Sequence, residues 1–182
     1  MKTALITGAS HGIGKAIAER FAREKYRIFL NCRSSQRELA DYAGKLSDQY
    51  GILCVPLVCD VSDHRQVASM FEEIHSMNGQ IDVLVNNAGI SHIGLLQDME
   101  IEDWNRIINT NLTSVFSCCK FAIPEMIRKK SGKIINISSV WGIAGASCEA
   151  AYSASKGGVN ALTKALAKDL APSNIQVNAV AC

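Results

Sequence analysis

No apolar run in this 182-residue sequence approaches the length of a membrane span, and none fits a secretory signal. The N-terminal run Ala4-Leu5-Ile6 is three residues long before polar and glycine positions intervene. The expected location is therefore cytoplasmic. Blocks of like charge are also missing. Lys and Arg total 19 against 17 acids, a net charge of +2, so neither a nucleic-acid stripe nor a polybasic membrane anchor is expected. The cysteines lack any pairing pattern: Cys32, Cys54, Cys59, Cys118, Cys119, Cys148 and Cys182 are scattered, odd in number and never spaced C-x-x-C. That excludes a disulfide framework and a zinc site, and leaves buried thiols in a reducing compartment. There is no low-complexity linker, no repeat and no second-domain boundary, so residues 1–182 are expected to form one domain. A chain of this size buries roughly 70% of its unfolded surface, enough for one substantial core.

What is present is an ordinary globular composition, 48% apolar and 20% charged, with strands and helices in alternation. Short β-branched runs predict strands at Thr3–Thr7, Arg27–Cys32, Leu53–Cys59, Asp82–Asn86, Lys133–Ser138 and Gln176–Ala181. Helical patterns occupy Gly12–Glu24, Gln36–Tyr50, Asp63–Met77, Asn111–Lys130 and Tyr152–Leu170. In the first of these, Ile13, Ile17 and Phe21 recur every four residues on one face, with Lys15, Glu19 and Arg23 on another. Pro124 inside the fourth either kinks that helix or marks a helix start. Strand–helix repetition means parallel strands, right-handed crossovers and helices on both faces: an α/β, Rossmann-type doubly wound sheet.

The first strand runs into Thr7-Gly8-Ala9-Ser10-His11-Gly12-Ile13-Gly14. Glycines permit a tight turn and close backbone approach to a pyrophosphate, and the following helix directs its free N–H groups and positive dipole end at that anion. The spacing is G-x-x-x-G-x-G, not the commoner G-x-G-x-x-G, and a glycine-rich turn without function is the alternative. The second strand ends Asn31-Cys32-Arg33-Ser34-Ser35, with no acid for a ribose 2′-hydroxyl. Arg33 and two serine hydroxyls suit a 2′-phosphate instead, which favours NADP over NAD. A solvated surface arginine is the alternative, and His11 either faces the same phosphate or is incidental. Asp60, followed by Val61, ends the third strand. It accepts a hydrogen bond from an adenine amino group or caps the next helix, for which Ser62 and Asp63 stand closer.

Tyr152-Ser153-Ala154-Ser155-Lys156 opens the last helical segment. Positions i and i+4 share a helix face, so phenol and ammonium become neighbours. An unperturbed tyrosine titrates near pH 10, and a nearby cation favours its phenolate. A tyrosine becomes a usable general acid in this way. Alone, Y-x-x-x-K also describes an ordinary surface pair.

Thr7–Gly14, Asn86-Asn87-Ala88-Gly89, Asn111, Ser138-Ser139 and the Tyr152/Lys156 pair occur in that order on one alternating chain. From Thr3 to Ala181 the chain resembles the classical short-chain dehydrogenase/reductase family. Within it, Thr7–Gly14, Asn109-Thr110-Asn111-Leu112 and Tyr152–Gly158 are most similar to the bacterial 3-oxoacyl-[acyl-carrier-protein] reductases. The resemblance implies that the turn at Gly8, Ser10, His11, Gly12, Ile13 and Gly14 holds a dinucleotide. Asn87, Ala88 and Gly89 are implied to support the central strand edge and the adenosine side. Tyr152 protonates the substrate oxygen as hydride arrives, and Lys156 binds the nicotinamide ribose and lowers the Tyr152 pKa. Ser139, thirteen residues before the tyrosine, polarises the carbonyl, with Ser138 structural. Asn111 positions a water behind Lys156 or caps the long helix it opens. A homotetramer is also implied, with Asn111–Lys130 and Tyr152–Leu170 packing against another subunit.

The sequence stops at Ala179-Val180-Ala181-Cys182, where the family pattern continues through a proline-glycine turn, a substrate loop, a helix and a strand. The resemblance therefore implies a sheet lacking the family's last helix and strand. The expected activity is NADPH-dependent reduction of a 3-oxoacyl-[acyl-carrier-protein] or related thioester. A sugar, steroid or small alcohol is the alternative substrate, and a cofactor-binding module without turnover is the alternative class. Ser91, His92, Ile93, Val140, Trp141 and Ala146 do not distinguish among these substrates.

Overall fold

The computed structural model describes residues 1–182. Six strands form one parallel sheet: β1 (Thr3–Ile6), β2 (Arg27–Cys32), β3 (Cys54–Val58), β4 (Val83–Asn86), β5 (Gly132–Ser138) and β6 (Ile175–Ala181). Their order is β3-β2-β1-β4-β5-β6. The chain winds outward from β1 to β3, then returns to lay β4 on the other side of β1. The C-terminal ends of β1 and β4 thus flank the topological switch point, where open α/β sheets form a ligand crevice. Register is consistent across the centre: Leu5 pairs with Phe29 and Leu84, and Ile6 with Leu30 and Val85.

Both sheet faces are covered, which is why the central strands read as continuous apolar runs. The intervening helices are α1 (Gly12–Arg23), α2 (Gln36–Tyr50), α3 (His64–Ser76), α4 (Ile101–Ile108), α5 (Ser114–Lys129), α6 (Trp141–Ala144) and α7 (Ala150–Leu170). Helices α1 and α2 bury Ala18, Ala22, Leu39 and Leu46 against Ala4, Ile6, Ile28 and Leu30. On the other face α3, α5 and α7 bury Phe71, Ile74, Met126 and Val159 against Leu5, Phe29, Leu84 and Ile134. Each fully enclosed Leu, Ile or Phe contributes roughly 1.5–3 kcal/mol from burial.

The expected strands and four of the five expected helices lie within two residues of their predicted limits, with one larger correction. The fourth helical segment does not begin at Asn111. Helix begins at Ile101, passes through a π-turn at Asn109–Thr113 and continues as α5 to Lys129. Asn111 therefore caps nothing; it lies buried in mid-helix. Glu100, at the start of α4, makes no side-chain cap, and the polar pair Asn109-Thr110, outside every predicted helix, lies in the π-turn. Pro124 lies inside α5.

A second adjustment concerns α1. Its fully buried stripe is Gly14, Ala18 and Ala22, one residue beyond the Ile13, Ile17, Phe21 series. Small residues let the helix lie close to the sheet, while Ile13 stays half exposed at the crevice and Ile17 and Phe21 flank the core. Helix α3 is capped by Asp63, whose carboxylate accepts from the N–H groups of Arg65 and Gln66. Such a cap contributes about 1 kcal/mol, and it removes Asp60 from that role. All seven cysteines are free thiols and five are buried. No helix is long and apolar enough to cross a membrane.

Candidate active site

The turn after β1 is shaped by missing side chains. Gly8 has φ +63°, and a Cβ there would sit 2.9 Å from the Cα of Ala88. A Cβ on Gly14 would lie 2.3 Å from the Gly8 carbonyl oxygen, so α1 can start this close to the turn only as glycine. Gly12 has φ +54°, a left-handed conformation that a β-carbon disfavours. His11 precedes the helix in extended conformation and makes no side-chain cap. The first-turn N–H groups of α1 thus have no capping side chain and remain available to an anion.

Thr7 and Asn87 fasten this turn to the end of β4. The Asn87 amide donates to the carbonyls of Thr7 and Gly8 at 2.9 and 3.0 Å. The Thr7 hydroxyl accepts from the backbone N–H groups of Asn87 and Ala88 at 3.0 and 3.1 Å. Asn31, at the end of β2, is buried and donates to the Cys59 carbonyl at 2.9 Å, tying β2 to the end of β3.

These ends enclose a cleft of about 360 Å³. Gly8, Ser10, His11, Ile13, Arg33, Asp60, Val61, Asn87, Ala88 and Gly89 line it, as do Asn31, Cys32, Ser34, Ser35, Cys59, Ile90 and Thr110. Of the expected dinucleotide-binding residues, only Gly12 and Gly14 in the turn and the Tyr152/Lys156 pair fall outside this lining. Both glycines act on the backbone path. Arg33 is exposed and forms no ion pair within the chain. Asp60 is turned back on its own loop, accepting from the Ser62 N–H at 2.9 Å and the Ser62 hydroxyl at 2.7 Å.

A second cleft, about 280 Å³, adjoins the first through shared Ile13, Asn87, Gly89 and Ile90. Ser138, Ser139, Tyr152 and Lys156 line it. Helix α7 is fixed to β5 at three points. Asn136 donates to the Thr163 hydroxyl at 2.9 Å, Ser138 to the Lys156 carbonyl at 3.3 Å, and the Lys156 ammonium to the Ile137 carbonyl at 2.7 Å. Ser138 is therefore engaged with the helix backbone. Ser139 accepts from the Trp141 N–H at 3.2 Å, and its own hydrogen has only a long contact, 3.5 Å, to the Cys182 carbonyl.

The Lys156 nitrogen lies 5.7 Å from the centre of the Tyr152 ring. Lys156 is 4% exposed, and burial pulls its pKa from 10.5 to about 8, because the charged form is poorly solvated there. A phenol, an ammonium and a hydroxyl on one wall are the means to deliver a proton and stabilise a developing oxyanion. Asn111 does not line either cleft; it is buried behind them, and both of its amide hydrogens are taken by Ile90 and Ser155. Ser155 escaped sequence reasoning because it looked like a spacer inside Y-x-x-x-K. Asn31 escaped because an asparagine ending a strand carries no distinctive pattern.

Comparison with known proteins identifies the chain's relatives. The short chain dehydrogenase family model matches residues 2–182. A 3-oxoacyl-[acyl-carrier-protein] reductase of Staphylococcus aureus is 44% identical over 180 residues, covering 99% of this chain and 73% of the relative. The enzyme of that name from Thermotoga maritima is 42% identical, covering 99% and 72%. A crystal structure from Sinorhizobium meliloti, assigned as a short-chain alcohol dehydrogenase, superposes with a TM-score of 0.93 at 34% identity, covering 99% of this chain and 71% of that one. On the sheet topology, the glycine turn and these matches, the chain belongs to the short-chain dehydrogenase family and is an oxidoreductase of that type.

Proposed function

We propose that this protein reduces the ketone of a 3-oxoacyl thioester, carried by acyl-carrier protein or a related thiol, with NADPH as reductant. The observation that carries this reading is one continuous crevice with a side-chain-free glycine turn at one end and Ser139, Tyr152 and Lys156 at the other. The residues fit a dinucleotide. Gly8 and Gly14 leave space that a Cβ would fill, uncapped N–H groups open α1, and an unpaired guanidinium lies where a 2′-phosphate would be recognised. Gly8, Ser10, His11, Gly12, Ile13 and Gly14 would hold the pyrophosphate, Arg33 the 2′-phosphate, and Asp60, Val61, Asn87, Ala88 and Gly89 the adenosine side. When bound, the nicotinamide supplies the hydride.

The chain's own groups do the rest. Ser139 donates a hydrogen bond to the ketone oxygen and holds it as negative charge develops. Tyr152 gives its phenolic proton to that oxygen, so the ketone becomes a secondary alcohol. Lys156 stays protonated below about pH 8, and its cation lowers the cost of the phenolate left on Tyr152. An ammonium has three hydrogens, of which Ile137 takes one; the others remain for the ribose and the phenol. Asn111 stands behind this proton path. The similarity of the named relatives to this chain supports a thioester over a sugar or small alcohol as substrate.

The test is a titration of the purified chain with NADPH and with NADH, followed by acetoacetyl thioester. NADPH is expected to bind more tightly, and the thioester to trigger its oxidation. Tyr152→Phe should lower kcat by about 10³-fold or more while leaving the Kd for NADPH within about twofold, since a well-placed general acid contributes roughly 10²–10⁴. Full turnover by Tyr152→Phe would remove the assigned acid, and turnover without NADPH binding would remove the cofactor.

A further inference from the structure

Behind the Tyr152–Lys156 turn runs a short, closed chain of hydrogen bonds. Ser155 is wholly buried and Asn111 is 1% exposed. The Asn111 carboxamide embraces the backbone of Ile90: its oxygen accepts from the Ile90 N–H at 2.8 Å, and its nitrogen donates to the Ile90 carbonyl at 2.8 Å. The second amide hydrogen goes to the Ser155 hydroxyl at 3.0 Å. Ser155 passes its single hydrogen to the carbonyl of Tyr152 at 2.7 Å. Every polar hydrogen in the run has one destination, so the chain has a fixed direction, from the loop after β4, through the π-turn, into the first turn of α7.

Three features make this more than core satisfaction. Ile90 follows Gly89, and both line the two joined clefts. A Cβ on Gly89 would lie 3.5 Å from the Asn111 amide oxygen and 3.5 Å from the Lys156 nitrogen, so no side chain separates the loop from the ammonium. The Ser155 hydroxyl donates to the carbonyl three residues back, a local bond inside the helical turn that carries both Tyr152 and Lys156. That turn sets the spacing between Tyr152 and Lys156. The π-turn at Asn109–Thr113 supplies the buried asparagine; such wide turns recur at functional sites.

We propose that Ser155 is a positioning residue of the reductase site. Its hydroxyl transmits the Asn111 grip on the Ile90 backbone to the helical turn that spaces Tyr152 from Lys156. The inference rests on the function proposed above, but its first measurement does not. In the cofactor-free protein, Ser155→Ala should speed amide hydrogen exchange at Ile90 by about tenfold, because Asn111 loses its third partner and its hold on the loop loosens.

In steady-state assays with NADPH and acetoacetyl thioester, Ser155→Ala should lower kcat about tenfold with KM for both substrates within about twofold, the pattern of an interaction felt in the transition state. Ser155→Thr keeps the hydroxyl, which a helical threonine can direct to the i−3 carbonyl, and should restore both Ile90 protection and kcat to within about threefold. Unchanged exchange at Ile90 in Ser155→Ala overturns the inference whatever the activity. Normal kcat per folded molecule, with only thermal stability reduced, overturns it too. Failure of the unaltered chain to oxidise NADPH would count against the proposed function and leave the exchange result to judge Ser155.

Discussion

The two ends of the crevice are built on opposite principles. The turn after β1 works through what it lacks: Gly8 and Gly14 leave room for backbone and ligand, and its donors are main-chain N–H groups. The wall at α7 works through what it contains: a nearly enclosed ammonium, a phenol and hydroxyls held by named partners. The first end is vulnerable to added atoms and the second to lost ones. The backbone donors of the first do not titrate, whereas the second carries a group whose charge is lost near pH 8.

Adding a single methyl group at the glycine end should give the largest effect. Gly14→Ala would place Cβ 2.3 Å from the Gly8 carbonyl oxygen and 2.5 Å from the Asn87 amide, a backbone clash that no rotamer relieves. Overpacking of this kind costs about 1–3 kcal/mol or more. Because Asn87 holds the turn to β4, the shift should also disrupt the cleft. The expected outcome is a melting temperature lower by about 5 °C or more and loss of NADPH binding at any workable concentration. Gly12→Ala sharpens the contrast. It meets open space, only its φ of +54° resists, and the cost should be about 1 kcal/mol. Equal losses in the two variants would show that the close approach at Gly14 is not what shapes the turn.

At the α7 end the sign reverses. The folded pKa of Lys156 lies near 8, below its unfolded value of 10.5. Below about pH 8 both states are protonated and the folded one bears the full cost of a poorly solvated charge. Between pH 8 and 10.5 the unfolded chain binds more protons, so stability from this group rises with pH. Lys156→Met should therefore stabilise the cofactor-free protein at pH 7, by up to roughly 3 kcal/mol before the lost bond to Ile137 is subtracted, and abolish reduction. The gain should shrink as pH climbs from 8 towards 10.5, measured by denaturant unfolding across that range. A variant less stable than the parent at pH 7, with a deficit that shrinks towards pH 10, would mean that Lys156 is stabilised in its charged form by partners the burial argument leaves out.

This asymmetry also governs what could be read before any coordinates. The glycine turn and Y-x-x-x-K are each written within eight residues, and their order with the other motifs along the chain resolves what either alone leaves open. The alternation of strands located the sheet within a residue or two, because strands buried on both faces must be apolar throughout. The misread parts all depend on distant neighbours. The buried stripe of α1 is Gly14, Ala18 and Ala22, since contact distance to the sheet, not hydrophobicity, selects it. Helix α4 lacks a side-chain cap, and the π-turn hides Asn111 among polar residues that signal a loop. Ser155 and Asn31 act by bonding carbonyls dozens of residues away or one helical turn back, which leaves no period to detect.

The smallest expected effect lies at the rim of the first cleft, where both principles meet. Arg33 is a side chain, like the groups at α7, but exposed and unpaired, and the other cation candidate there, His11, is exposed as well. An exposed guanidinium facing a phosphate gains only about 1 kcal/mol in water, and about twice that as a bidentate contact. Arg33→Ala should thus weaken NADPH about tenfold, leave NADH within about twofold and reduce the salt dependence of NADPH binding. Arg33→Glu should go further and bring NADH level with NADPH, because a carboxylate at the end of β2 repels the 2′-phosphate and accepts from a 2′-hydroxyl. Equal weakening of both dinucleotides by Arg33→Ala would identify the residue as a general contributor to the cleft's positive potential, and cofactor choice would then fall to Ser34, Ser35 and His11.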